Sequence, residues 1–198
     1  RLEEMPLFRN ENQQYIHYQK GGLVMYLLRD QIGEEAVNRA LRRVLAQYAF
    51  KSAPYPRSLD LINAIRAEAP ADKQALITDL FEKITLYDVK ARSVTATKRA
   101  DGKWDVALTV EARKLYADGK GEETEAPLNE TFDVGLFAAE PGKGAFDQKS
   151  VILMERRPLR SGTQVFRFVT DQKPAFAGID PYNRWIDRNS DDNVKPVG

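Results

Sequence analysis

Hydrophobic and polar positions change their period part-way along the chain. From Gln14 to Ile32 no proline intervenes, and no charge falls between Lys20 and Arg29. Leu23, Val24, Met25, Tyr26, Leu27 and Leu28 place apolar groups nearly all round a helix, the pattern of a helix buried among others. Gly33 supplies its stop. Glu34 and Glu35 then suit the first turn of a second helix. Its stripe runs through Ala36, Val37, Ala40, Leu41, Val44, Leu45 and Tyr48, with Arg39, Arg42 and Arg43 off it. Pro54 and Pro56 mark a break. Ser58 is the expected N-cap of a third helix carrying Leu61, Ile62 and Ile65, which Pro70 ends. Asp72 is the expected cap of a fourth, with Leu76, Ile77, Leu80, Phe81 and Ile84 on one face.

After Leu86 the period becomes two. Trp104, Val106, Leu108 and Val110 alternate with Asp105, Ala107, Thr109 and Glu111, behind an Asp101-Gly102 hairpin turn. Leu128, Glu130, Phe132, Val134 and Leu136 form a second alternating set. Ser150–Glu155 and Thr163–Thr170 are two further strand candidates, joined by a polar turn at Ser161-Gly162. About six strands at this spacing predict an antiparallel β-sandwich of roughly 90 residues. Helices followed by strands predict a segregated α+β fold: a helical region over 1–85, then a β-sandwich over 86–198 whose polar tail from Asp187 frays. The first helix is too apolar for three short partners to cover, so a further neighbour is expected.

Composition narrows the chemistry. Among 198 residues there is no cysteine and one histidine, His17. Thiolate zinc sites, an H-E-x-x-H zinc helix and a cysteine nucleophile are therefore excluded within this sequence. The 30 Lys+Arg against 29 Asp+Glu leave a net charge of +1, no field for nucleic acid. The longest apolar stretch, Gly21 to Leu28, falls far short of the ~20 residues needed to span a bilayer. An opening at Arg1 without a signal-peptide pattern reads as a piece of a longer protein.

The stretch Tyr15-Ile16-His17-Tyr18-Gln19-Lys20-Gly21-Gly22 carries the most information. Each glycine costs ~1 kcal/mol against Ala inside a helix, which predicts a compensating close approach of another backbone. On residue type alone the tyrosines read as core groups with satisfied hydroxyls. Tyr18-x-Lys20-Gly21, then Ile32-Gly33-Glu34-Glu35, Tyr48-Ala49-Phe50-Lys51 and Ser58-x-Asp60-Leu61, resembles the zinc aminopeptidases of the membrane alanyl aminopeptidase type, whose catalytic domain the leukotriene hydrolases share. The likeness is strongest over 15–66. In the β region it is carried by the 174–186 segment, through Ile179-Asp180-Pro181 and Trp185-Ile186, with Asp187 directly after it.

The resemblance implies that 1–85 is the helical end of a thermolysin-like catalytic domain. It implies an H-E-x-x-H helix and a later glutamate holding zinc upstream of Tyr18, with none of those ligands in this chain. It makes Tyr18 the catalytic hydrogen-bond donor to the tetrahedral oxyanion, a role that suits a phenol, neutral and still a donor near pH 7. A peptide is the implied substrate, zinc the implied cofactor of the parent protein, and these residues alone are expected to be inactive. The Asp180-Pro181-Tyr182-Asn183 ending is also similar to bacterial proteins in which the peptidase follows a permease-like membrane region.

Tyr15 lies one turn before Tyr18 and is a candidate for the same substrate cleft. His17, about 100° round an α-helix from Tyr18 and without a second ligand, reads as structural, as does Lys20. Asp187-x-Asn189-x-Asp191 has the opening spacing of a calcium loop, but Asp192 stands where its glycine belongs; this predicts a solvated tail. Arg156-Arg157-Pro158-Leu159-Arg160 reads as a turn between strands. The apolar helix predicts partnership with the missing part of the catalytic domain, or dimerisation through 1–50. A non-enzymatic interaction module of a membrane-associated, transporter-like assembly is the alternative reading.

Overall fold

The computed structural model of the chain describes residues 3–144 and 146–198; Arg1, where the expected helical region begins, lies outside them. The described residues form an α+β fold of four α-helices and eight strands in two antiparallel sheets. The chain divides into two units. One comprises the residues through Thr85 together with Tyr116–Thr124, and the other Leu86–Leu115 with Glu125–Gly198.

In the helical unit a single π-helical turn, Tyr15–Lys20, runs directly into α1, Gly21–Ile32. Gly33, at φ 90°, breaks the path and starts α2, Glu34–Tyr48, a conformation glycine adopts without a Cβ penalty. The helices α3, Ser58–Glu68, and α4, Gln74–Phe81, complete the unit. Val24, Leu27 and Leu28 of α1 share a core with Ile16, Val37, Ala40, Ile62, Ile65, Ile77 and Leu80. Glu68 of α3 accepts from Arg39 Nε at 2.8 Å and Arg43 Nη2 at 2.6 Å, which ties α2 to α3. These two partners hold its carboxyl below the usual carboxylate range.

Three helical expectations are corrected. The first helix is not buried all round: Leu23 and Tyr26 are each 45% exposed. On α2 only Ala36, Val37 and Ala40 are buried, and Leu45 is 62% exposed, because α3 covers just part of the stripe. The caps also move. Arg57 is the N-cap of α3, with Asp60 accepting from its backbone N–H at 2.8 Å, and Ser58 is already helical. Asp72 sits in the 3-10 turn Ala71–Lys73 before α4, and Ile84 begins a strand, since the helix ends at Phe81.

The β unit is a two-layer arrangement. One sheet has β2 (Trp104–Ala117) between β1 (Ile84–Lys98) on one side and β6 (Gly162–Thr170) and β3 (Glu123–Ala126) on the other. The second runs β5 (Val151–Arg160), β4 (Asn129–Phe137), β7 (Phe176–Ile179), β8 (Val194–Pro196). The alternation read from sequence holds: Val106, Leu108, Val110, Phe132, Val134 and Leu136 are buried. The turn at Ser161 is found, but the strands on either side of it belong to different sheets. Leu108 faces Phe166 on β6, whereas Val134 faces Glu155 on β5. The Arg156–Arg160 run therefore lies within β5, where Pro158 is tolerated because β5 is an edge strand.

The sheets are joined by an aromatic cluster. Trp185 stacks on Phe132 at 4.3 Å between centroids and meets Tyr87 of β1 edge-on at 5.0 Å. The C-terminal segment does not fray. Val194–Pro196 pairs with β7, Asn193 is completely buried, and Tyr87 and Asp187 form a parallel bridge. Gly178 allows this closure: a Cβ there would fall 2.7 Å from the carbonyl oxygen of Asn193. No helix among the described residues is long and apolar enough to cross a membrane.

Candidate functional site

The site is built in the helical unit around the junction between the π turn and α1. In the π register Gly21 N–H donates to Ile16 O, five residues back. Such a turn is wider than an α turn and rotates less per residue, and single π turns recur at functional sites. The changed rotation redistributes the side chains. His17 and Tyr18 come to one side, with ring centroids 4.8 Å apart. Tyr15, half exposed, is not among the groups lining the groove that Tyr18 borders. The α-helical spacing that grouped Tyr15 with Tyr18 and set His17 apart does not apply here.

The groove encloses about 450 Å³ and is largely apolar. Its floor combines Leu7 and Phe8 from a 3-10 turn, Met25 of α1, Leu61 and Ile62 of α3, and Phe81 of α4. Ser58 Oγ donates to Phe8 O at 2.7 Å, which pins the 3-10 turn to the start of α3. Tyr18 is 70% exposed, and its hydroxyl makes no hydrogen bond among the described residues. It is therefore available as a donor, unlike the satisfied core tyrosine that residue type alone suggests.

The polar framework on the other side of the π turn orients His17. Gln13 is fixed by two backbone groups: Met5 N–H donates to its Oε1 at 3.2 Å, and its Nε2 donates to Glu3 O at 2.7 Å. Asn10 must then present Nδ2 to Gln13 Oε1, at 3.1 Å, leaving its Oδ1 for His17. His17 Nδ1, 3.1 Å from that oxygen, is accordingly the donor to Asn10 Oδ1. Lys20 is half-buried beside this strap. Burial holds its ammonium below the usual lysine range, and the charge of Glu4 opposes that shift.

The two glycines do not mark a close backbone approach. A Cβ on Gly22 would meet nothing within 4 Å, and one on Gly21 would make ordinary contacts with Leu7 and Ile16 at 3.7 Å. Both instead keep the groove wall low beside Tyr18. Of the other motif residues, Ser58 and Leu61 reach the groove. Glu34 and Glu35 open α2, Tyr48 closes it, and Phe50 is fully exposed at φ 60°. Sequence reasoning missed Leu7, Phe8 and Phe81 as lining groups. Their only sequence signal is hydrophobicity, which does not distinguish groove from core.

Among the described residues no three His, Cys, Asp or Glu side chains gather in a way that would hold a metal ion. The groove supplies apolar walls, one exposed phenol and one oriented imidazole. This set can bind an apolar group and donate a hydrogen bond. No protein-family model matches the chain, and no characterised protein matches it.

Proposed function

We propose that these residues are the C-terminal part of a zinc-dependent aminopeptidase of the membrane alanyl aminopeptidase type. In this reading Tyr18 donates a hydrogen bond to the oxyanion that forms as an N-terminal peptide bond is cleaved. The observation that carries the reading is the Tyr18 hydroxyl: exposed, without a hydrogen-bond partner, on a π turn at the rim of an apolar groove. The spacing of Tyr18-x-Lys20-Gly21, Gly33-Glu34-Glu35 and Tyr48-x-Phe50 supports it.

The chain's own residues do not fit a zinc centre, so the metal and its general base would belong to a preceding segment of the catalytic domain. When bound there, zinc would polarise the scissile carbonyl. Tyr18 would add a neutral donor to the same oxygen, and the groove walls would exclude water around the peptide. The exposed Leu23 and Tyr26 on α1 are the surface against which that preceding segment would pack. A second copy would cover the same surface, through residues 1–50, when the 198 residues are alone.

The test uses the full-length protein, purified with zinc, on aminoacyl chromogenic substrates. Wild type turns over, Tyr18→Phe loses turnover at unchanged zinc content, and the isolated 198 residues do not turn over. A Tyr18→Phe enzyme with normal kcat, or a full-length sequence without an H-E-x-x-H motif and later glutamate, overturns the proposal.

A further inference from the structure

The connection from α2 to α3 in the helical unit packs against nothing along its length: every residue from Ala49 to Leu59 is exposed. The loop is nonetheless held at its neck. Lys51 N–H donates to Tyr48 O at 3.3 Å, and Arg57 N–H donates to the Asp60 carboxylate at 2.8 Å. The Tyr48 hydroxyl sits against that same carboxylate. Ser58 Oγ, donating to Phe8 O at 2.7 Å, fixes the far end. Pro54 and Pro56 restrict the backbone between these points.

A loop so open is expected to carry polar side chains, yet this one carries aromatic rings. Phe50 is 108% exposed and Tyr55 74%, the two highest values for large apolar side chains among the described residues. Phe50 is thus as open to water as in an unfolded chain. It also holds φ 60°, a left-handed conformation that a bulky residue avoids. Backbone strain of this kind persists where a function requires it. Leu45, in the last turns of α2, and Leu59, in the first turn of α3, add exposed apolar groups at the two ends of the loop. Residues 49–59 contain Lys51 and Arg57 and no acidic residue. Arg57 is shared with Asp60, at 3.7 Å, so Lys51 carries the larger part of the free charge.

We propose that the loop 49–57 docks the chain on an anionic lipid surface, with Phe50 and Tyr55 entering the interface and Lys51 and Arg57 facing the headgroups. A bilayer fits these observations better than a protein partner. A protein needs a separate pocket for each protruding ring, whereas the headgroup region accepts any ring that protrudes. A tyrosine, apolar in its ring and polar at its tip, suits the depth of the headgroups. Cations unaccompanied by acids on the same loop complement anionic lipid. Two rings and two charges are fewer than stable anchoring requires, so the binding is weak, reversible and weakened by salt.

The test is co-sedimentation of the full 198-residue chain with phosphatidylcholine vesicles containing about 30% phosphatidylglycerol, against pure phosphatidylcholine, at low and high salt. Binding is expected on the anionic vesicles at low salt and is lost at high salt. Phe50→Asn removes the ring but tolerates the left-handed backbone; it is expected to weaken binding roughly tenfold without lowering the Tm. Lys51→Gln is expected to weaken it roughly fivefold. An environment-sensitive dye on Ser52→Cys gives a second readout, since the chain has no other cysteine, and its emission should shift to the blue on the anionic vesicles. No binding to anionic vesicles, equal binding to pure phosphatidylcholine, undiminished binding by Phe50→Asn, or an unmoved dye emission overturns the proposal. Binding to polyglutamate without binding to vesicles makes the loop a dock for an acidic protein and overturns it as well.

Discussion

Tyr18→Phe separates a chemical role from a structural one, because the structure predicts opposite outcomes for stability and turnover. The substitution removes one oxygen. That oxygen is in a 70% exposed side chain and donates to nothing among the described residues, so no buried partner is orphaned and no cavity forms. The ring keeps its contact with His17. Surface changes of this kind stay within about 0.5 kcal/mol. For a chain of this size that is a Tm change of at most about 2 °C. Loss of one oxyanion donor, by contrast, costs about 2.7–4 kcal/mol of transition-state stabilisation, a drop in kcat of roughly 10²–10³. Because the hydrogen bond would be made chiefly in the transition state, kcat and kcat/KM should fall together. The assay pairs steady-state kinetics of the full-length enzyme with differential scanning fluorimetry and metal analysis of the same preparations. Unchanged kcat refutes the donor role. A Tm lowered by more than about 5 °C refutes the structural premise, since it would mean that the hydroxyl holds the fold.

Three other outcomes follow from the geometry. Trp185→Ala should destabilise the β unit by about 3–5 kcal/mol, because the indole is 4% exposed between Phe132 and Tyr87; urea midpoints followed by near-UV circular dichroism would show it. Gly22→Ala should be neutral or raise stability by up to ~1 kcal/mol, since its Cβ would meet nothing within 4 Å; a loss of stability would mean that something approaches this position closely. Asp180 sets a pH dependence. Burial pushes its carboxyl up to about 7 even though the backbone N–H groups of Arg184 and Trp185 donate to it. An unfolded Asp titrates near 3.9, so from about pH 4 to 7 the native state holds a proton that the unfolded state has lost. This contribution is full below the unfolded value and is lost as pH rises through the folded one. Asp180→Asn should remove it, so the ratio of wild-type to variant stability in urea should be higher at pH 5 than at pH 7.5. An equal ratio at the two pH values would refute the shift.

The parts of the fold legible in sequence were those where a local rule and the tertiary outcome agree. Val106, Leu108 and Val110 alternate because one face of β2 is buried, and that face is the same whichever strands flank it. Gly33 stops α1 for a reason confined to its own φ. The strands β7 and β8 were missed because their pairing is not local; β1 was blurred although it forms a hairpin with β2 across the Asp101-Gly102 turn. Phe176–Ile179 and Val194–Pro196 are too short and mixed to show a period, and each is held by hydrogen bonds to a strand distant in sequence. The tail from Asp187 looked solvated because its residues are polar, yet Asn193 is among the most buried groups in the chain.

At the candidate site, the sequence by itself determined which chemistry is available: two phenols and one histidine, with no thiol and no second imidazole, at the start of an apolar helix. It also determined the order of helices and strands, since periodicity is a property of neighbouring residues. Only the tertiary structure decided how those groups face. A π turn in place of an α turn moved His17 beside Tyr18 and took Tyr15 off the groove, because the angle between successive side chains depends on a hydrogen-bond register that no single residue type encodes. Burial was decided at the same level. Leu23 and Val24 are adjacent and equally apolar, yet one is 45% exposed and the other 0%, because the helices packed against α1 cover only one of its faces.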